Sequence, residues 1–264
     1  MGKIIMCGSF KGGVGKTVLS YNLAYSLAAL GKKVCAVDFD SQGNLSTCFG
    51  IEDTAAVPVT IGHLMMDMIE DEALPLPEEY IQSRNEVDFI PSSMVLSAAD
   101  SKLRMELGAE KMLAGILEPL KDRYDFLILD TCPSLGALTL NAMAAADGVI
   151  ITVNPQLLAM MGLQDFLRTV KKVQSRINER LHVSGILLTM CDPRTNLCKT
   201  ITEQVEENFA GQIRIFESRI PNTVKVGESV YYSQPLLEYA PESKACVAFQ
   251  NLAEEVIRYE GECS

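Results

Sequence analysis

The run Phe10-Lys11-Gly12-Gly13-Val14-Gly15-Lys16-Thr17 places glycines, two lysines and a threonine at the spacing that can hold the phosphates of a nucleoside triphosphate. Glycines let backbone N–H groups converge on a β-phosphate, and the start of a helix already favours negative charge. In such a loop Lys16 would neutralise the β- and γ-phosphates, and the Thr17 hydroxyl would ligate Mg²⁺. Gly12, Gly13, Val14, Gly15 and Val18 would complete the wrapping of the nucleotide. The loop departs from the general pattern at its first glycine position, where Phe10 stands, and it carries a second lysine, Lys11.

Acidic residues further along could complete the chemistry. Asp130 ends the apolar run Phe126-Leu127-Ile128-Leu129, where it could accept a hydrogen bond from Mg²⁺-bound water or simply cap the next turn. Asp38 and Asp40 follow Val34-Cys35-Ala36-Val37. Their spacing puts both side chains on one side if the strand continues, so both could face a γ-phosphate. One would support the metal shell and the other would orient the attacking water, and spacing alone does not separate the roles.

Repeated strand–helix units must position these groups. Ile4-Ile5-Met6-Cys7 reads as a buried strand before the glycine loop, and Leu19, Leu23, Leu27 and Leu30 recur on one helical face after it. Further strands are predicted over 33–38, 87–90, 124–130, 148–153 and 183–189. Helices are predicted over 61–69, 95–107, 110–120, 158–180 and 244–259. On the long helix Leu163, Phe166, Leu167, Val170, Val173 and Ile177 share a face, while Arg168 and Lys172 point away. This alternation predicts an α/β fold, a doubly wound, mostly parallel sheet flanked by helices, with ligands at the carboxyl ends of the strands.

At 264 residues, with no Pro/Gly/Ser-rich linker and no internal repeat, the chain is expected to form a single domain over 1–264. The most apolar stretch, around residues 135–153, is broken by Asn141 and Asp147, so no membrane span is expected, and no signal peptide is indicated. None of the eight cysteines forms a Cys-x-x-Cys pair, and reduced, mostly buried thiols in a cytoplasmic protein are expected. The net charge of −11 is uneven: the segment 168–225 has ten Lys/Arg against six Asp/Glu, a local +4. An acidic protein can bind a polyanion through such a surface, although solvated helix faces would look the same.

Lys11-Gly12-Gly13-Val14-Gly15-Lys16-Thr17, Asp38-Phe39-Asp40-Ser41-Gln42-Gly43-Asn44 and Asp130-Thr131-Cys132-Pro133-Ser134 resemble the three signatures of the ParA/Soj partition ATPases, of the deviant Walker A (MinD/ParA) group of phosphate-loop NTPases. The resemblance continues through residues 188–197 and Phe216-Glu217-Ser218-Arg219-Ile220-Pro221. It implies a slow, Mg²⁺-dependent ATPase that forms a homodimer on binding ATP. Lys11 would reach the partner's phosphates, Gly12 would lie against the interface, Asp40 would position water, Asp38 would support Mg²⁺, and Pro221 would pack near adenine. A ParB-like centromere-binding partner would stimulate hydrolysis in plasmid or chromosome segregation. The ATP dimer would bind DNA without sequence preference through Arg194 and Lys225, and so associate with the nucleoid. Asn222 stands where the family usually carries a basic residue, which should weaken that binding.

Other members of the wider group set the alternatives. A membrane-cycling MinD-like ATPase would need an amphipathic, usually basic C-terminal segment, whereas this tail ends Tyr259-Glu260-Gly261-Glu262-Cys263-Ser264, which is acidic and short. An iron–sulfur relative would bridge its dimer through cysteines, yet a strand-end turn can hold Cys132 for packing reasons alone, and Cys191 and Cys198 fall outside a Cys-x-x-Cys spacing. A ParA relative that positions another cargo stays open. With the glycine loop starting at residue 10, no DNA-binding domain is expected ahead of it.

Overall fold

A computed structural model describes residues 1–106, 108–156, 159–209 and 211–262. Eight strands form one sheet: β1 (Lys3–Gly8), β2 (Val34–Phe39), β3 (Gln82–Arg84), β4 (Val87–Ile90), β5 (Phe126–Thr131), β6 (Gly148–Val153), β7 (His182–Cys191) and β8 (Ile215–Pro221). Their order is β3-β4-β2-β5-β1-β6-β7-β8, and every pair is parallel except β3–β4. The expected doubly wound sheet is therefore present. The chain runs one way from β1 to β2 and β4 and the other way from β6 to β8, so a crevice opens at the carboxyl end of β1, where such sheets bind ligands.

Both faces of the sheet are buried, which is why its central strands read as unbroken apolar runs. Ile4, Met6, Val37, Leu127, Leu129, Val149 and Ile151 face one core, shared with Leu64, Leu113, Leu163 and Phe166 of the helices. Ile5, Cys7, Val34, Ala36, Ile128 and Ile150 face the other, closed by the helices Lys16–Ala29 and Lys244–Glu262.

Several element bounds differ from the sequence-based ones. The β5 strand starts at Phe126 because the N–H groups of Asp125 and Phe126 both bond to the Lys33 carbonyl. Leu30 lies just past its helix and is 43% exposed, outside the face formed by Leu19, Leu23 and Leu27. The 110–120 helix is three pieces, Ala109–Lys111, Met112–Leu117 and Glu118–Asp122, and Pro119, second in the last of them, lacks the N–H that would continue the α-helical ladder. Leu103 ends the helix begun at Val95, and Leu107 lies outside the described residues. The long helix is described over Ala159–Arg176; Leu158 is outside the described residues, and Asn178 ends the run by bonding the carbonyls of Met143 and Ala146. Its buried stripe is Leu163, Phe166, Leu167, Val170 and Val173, with Arg168 and Lys172 exposed as expected.

Two polar devices pin the sheet. Glu255, buried on the last helix, accepts the N–H groups of Glu217 and Ser218 through its two oxygens, so it caps donors of the edge strand β8. At the opposite end of the strands, buried Asp147 accepts the Ile4 N–H at 2.8 Å and pairs with buried Lys121 at 3.0 Å. Removing Asp147 leaves buried Lys121 with only the more exposed Glu118, at 3.7 Å, and leaves the Ile4 N–H without its acceptor. Asp147→Ala should therefore lower unfolding free energy by about 3–5 kcal/mol in urea titration, where an exposed pair such as Arg168–Asp165 should give under about 1 kcal/mol.

Candidate active site

The glycine loop links β1 to the Lys16–Ala29 helix. Gly13 (φ 71°) and Gly15 (φ 84°) adopt left-handed backbone that glycine takes without cost. Gly12 is different: a Cβ there would meet only Pro133, at 3.8 Å, an ordinary contact. Its need for glycine does not arise within this chain. Phe10 owes its place to the helix after β6, since its ring lies against the Gly162 backbone and fills the volume that any side chain at 162 would take.

Lys16 is buried, and its Nζ donates to Ser9 Oγ at 3.0 Å. Burial lowers its pKa, against the attraction of Asp130 and Asp40, so the ammonium is a poorly compensated cation aimed at the loop. Lys11 instead extends to the surface, where its ammonium bonds Gln156 Oε1 at 2.5 Å. Lys16 and Lys11 thus occupy separate environments, one internal and one available to a neighbour.

Strand register brings Asp38 and Asp130 level with one another, and Cys7 of β1 pairs with Asp130 on its other side. Asp130 is fully buried. Its Oδ1 accepts the Ser20 hydroxyl at 3.0 Å, and its Oδ2 has no hydrogen-bond partner. Burial pushes this carboxyl up to about 6, opposed by the neighbouring Thr17 hydroxyl and the Lys16 charge. Asp38 is held by the start of the Asn44–Cys48 helix: Oδ2 accepts both the N–H and the hydroxyl of Ser46 at 2.7 Å. Burial, with the Asp130 charge adding to it, pushes Asp38 up to about 7. Asp40 lies beyond the end of β2, its own N–H donating to Asp38 Oδ1 and its Oδ1 accepting the Gln42 N–H. The strand does not continue through Asp40, so the two acids are not equivalent: Asp38 is tethered inside and Asp40 sits at the rim.

Beside the loop, a cavity of about 300 Å³ is lined by Gly15, Val18, Met190, Pro221, Asn222 and Val226, an apolar slot suited to a planar base. Pro221 ends β8, and Val18 follows Thr17 on the first helix. Arg194 and Lys225 follow β7 and β8 at the same carboxyl edge. The Arg194 side chain is 89% exposed and bidentate to Asp192; Lys225 pairs with Glu228 at 3.0 Å. Each cation thus carries its own acid.

Ser9, Ser20, Ser46, Gln156 and Met190 were not identified from sequence. Ser20 was the most accessible of these, one turn beyond Lys16 on the same helix; Ser46 follows a glycine turn that starts a helix. Gln156 meets Lys11 across 145 positions and leaves no local signal.

A family profile described as "AAA domain" matches residues 2–183. The chain is 37% identical to the sporulation initiation inhibitor protein Soj of Bacillus subtilis, over 97% of this chain and 98% of that one. It is 36% identical to the chromosome-partitioning ATPase Soj of Treponema pallidum, over 99% of this chain and all of that one. A solved Mycobacterium smegmatis structure described as cobyrinic acid a,c-diamide synthase, with bound ADP and magnesium, superposes with TM-score 0.84 at 28% identity, covering 99% of this chain and 96% of that one. With a glycine loop, strand-end acids and an apolar slot arranged on one doubly wound sheet, and full-length similarity to these proteins, the chain belongs to the ParA/Soj family of the MinD/ParA group.

Proposed function

We propose that the chain, over 1–264, is one ATPase domain that binds ATP·Mg²⁺, dimerises on it, and acts in DNA partitioning. The observation that carries the nucleotide reading is a pair of incompletely met charges at the loop: a buried lysine that Asp130 and Asp40 attract but whose hydrogen bond goes to a neutral hydroxyl, and an oxygen of buried Asp130 that accepts no hydrogen bond. Such groups are costly unless a ligand completes them. A phosphate chain answers Lys16 and the loop N–H groups, and a hydrated Mg²⁺ answers Asp130.

In this reading Gly12, Gly13, Val14, Gly15 and Lys16 cradle the phosphates, and Val18 and Pro221 flank the base. Thr17 ligates Mg²⁺, with Asp130 and Asp38 in support. When bound, Mg²⁺ would draw charge from the β- and γ-phosphate oxygens. Asp40, at the rim, orients the attacking water. Lys11, free of its own loop's interior, stabilises the partner's γ-phosphate, so charge stabilisation depends on assembly. The indifference of the monomer to a side chain at Gly12 supports an interface there. Arg194 and Lys225 supply non-specific DNA contact in the dimer, associating a cytoplasmic protein with the nucleoid, and a ParB-like protein stimulates turnover. Among the described residues no helix is long and apolar enough to cross a membrane, and a DNA matrix is favoured over a membrane by the local basic segment.

Lys16→Ala should weaken ATP binding by about 100-fold or more in calorimetry, the scale of losing a charged partner at a desolvated contact. Gly12→Val should keep the unfolding midpoint and ATP affinity of the parent yet stay monomeric with ATP in light scattering. Asp40→Ala should hydrolyse ATP about 10²–10⁴-fold more slowly while retaining an ATP dimer; parental turnover would remove Asp40 from the mechanism. With that variant, DNA binding should require ATP rather than ADP, weaken steeply with salt, and fall with Arg194→Ala. A confirmed ATP dimer with no DNA affinity at low salt would redirect the search to another matrix or cargo.

A further inference from the structure

A second cavity, of about 410 Å³, opens on the other side of Pro221 from the nucleotide slot. Cys191, at the end of β7, and Cys198, in the first turn of the Asn196–Phe209 helix, both line it. The two thiols share this wall, and Cys198 lies near enough to Cys191 to raise its proton affinity, while the Cys191 thiol itself donates to the Thr189 carbonyl at 3.8 Å. Lys199, Arg219 and Lys244 share the wall with Glu203 and Glu206, and Arg219 is paired with Glu206 at 2.6 Å. Among the described residues the other cysteines bury their thiols singly in the two cores, except half-buried Cys132.

Backbone joins this pair to the nucleotide slot. The Cys191 carbonyl accepts the Asn222 N–H at 3.1 Å, and Cys191 is in register with Pro221. Met190, one residue earlier, lines the slot with φ 53°, a left-handed conformation that costs a side-chain-bearing residue energy and persists only where its surroundings impose it. We propose that Cys191 and Cys198 form a reversible dithiol oxidation site, open to small hydroperoxides through the cavity, whose disulfide weakens nucleotide binding by displacing Met190 and Pro221. The effect on affinity rests on the reading of the Met190–Pro221 slot as the base site; the disulfide itself does not.

In this assignment Cys198, in the first turn of its helix, meets the oxidant and Cys191, at the strand end, resolves it. The Cys198 sulfur attacks a peroxide oxygen, the O–O bond breaks, and one water leaves with the thiol proton, giving a sulfenic acid. The Cys191 sulfur then attacks Cys198, the S–S bond forms, the S–O bond breaks, and the Cys191 proton leaves in a second water. Two thiols lose two electrons, and hydrogen peroxide is reduced to two waters.

The test uses the full chain treated with stoichiometric hydrogen peroxide. Arg194 separates the two cysteines, so after tryptic digestion a disulfide appears as two linked peptides. We expect this link as the main product, reversed by dithiothreitol, together with a rise of roughly fivefold or more in the ATP dissociation constant, within the usual span of site-to-site coupling. Cys191→Ser and Cys198→Ser should each abolish both effects while binding ATP like the reduced parent. No link, a link involving Cys132 instead, or a linked protein with unchanged ATP affinity would overturn the proposal. Failure of the reduced parent to bind ATP would instead sink the nucleotide reading, with the peptide link still deciding the disulfide.

Discussion

Lys16, Asp38 and Asp130 are buried together at the carboxyl ends of adjacent parallel strands, and the rest of the architecture keeps that arrangement in place. Charges removed from water must be matched by neighbours. Here the match is partial by construction: hydroxyls and backbone N–H groups hold Asp38 and one oxygen of Asp130, while Lys16 finds a serine. Asp130 raises the proton affinity of Asp38, which strand register holds level with it, and Asp40 raises that of Asp130; a cation between these acids and a phosphate relieves both. The site is thereby pre-organised for ligand rather than relaxed without it.

Such a site tolerates little movement of the strand ends, and the polar contacts far from it serve that demand. Asp147 and Lys121 tie β1 to its neighbours at the opposite end, while Glu255 holds β8, the edge strand that carries Pro221. Edge strands otherwise expose unpaired donors to other chains. Placing a carboxylate over two of them fixes the strand and removes a pairing site at once.

Legibility followed periodicity. The β4 and β6 strands match their predicted bounds because short apolar runs end at clear breaks. The β8 strand was legible only as a family-like stretch, since at the sheet edge Phe216, Ser218 and Ile220 point inward while Glu217 and Arg219 point out. The Ala137–Ala145 helix escaped because it is apolar on nearly every side and shows no stripe. In the site, residues inside contiguous motifs were readable, and Thr17, Lys16, Asp38 and Asp130 lie together at the strand ends. What the spacing left open, the difference between Asp38 and Asp40, depends on where β2 stops and on Ser46. The shared wall of Cys191 and Cys198 joins a strand end to a helix start, which no fixed sequence interval encodes.

The ring of Phe10 against the bare backbone of Gly162 makes two distant positions one unit of inheritance. A larger residue at 162 is admissible only if position 10 shrinks, and a glycine at position 10 would leave a hole beside the helix that follows β6. Drift at either position is therefore gated by the other, so the departure at the first position of the glycine loop should be transmitted through a lineage as a linked pair of residues rather than as an isolated change.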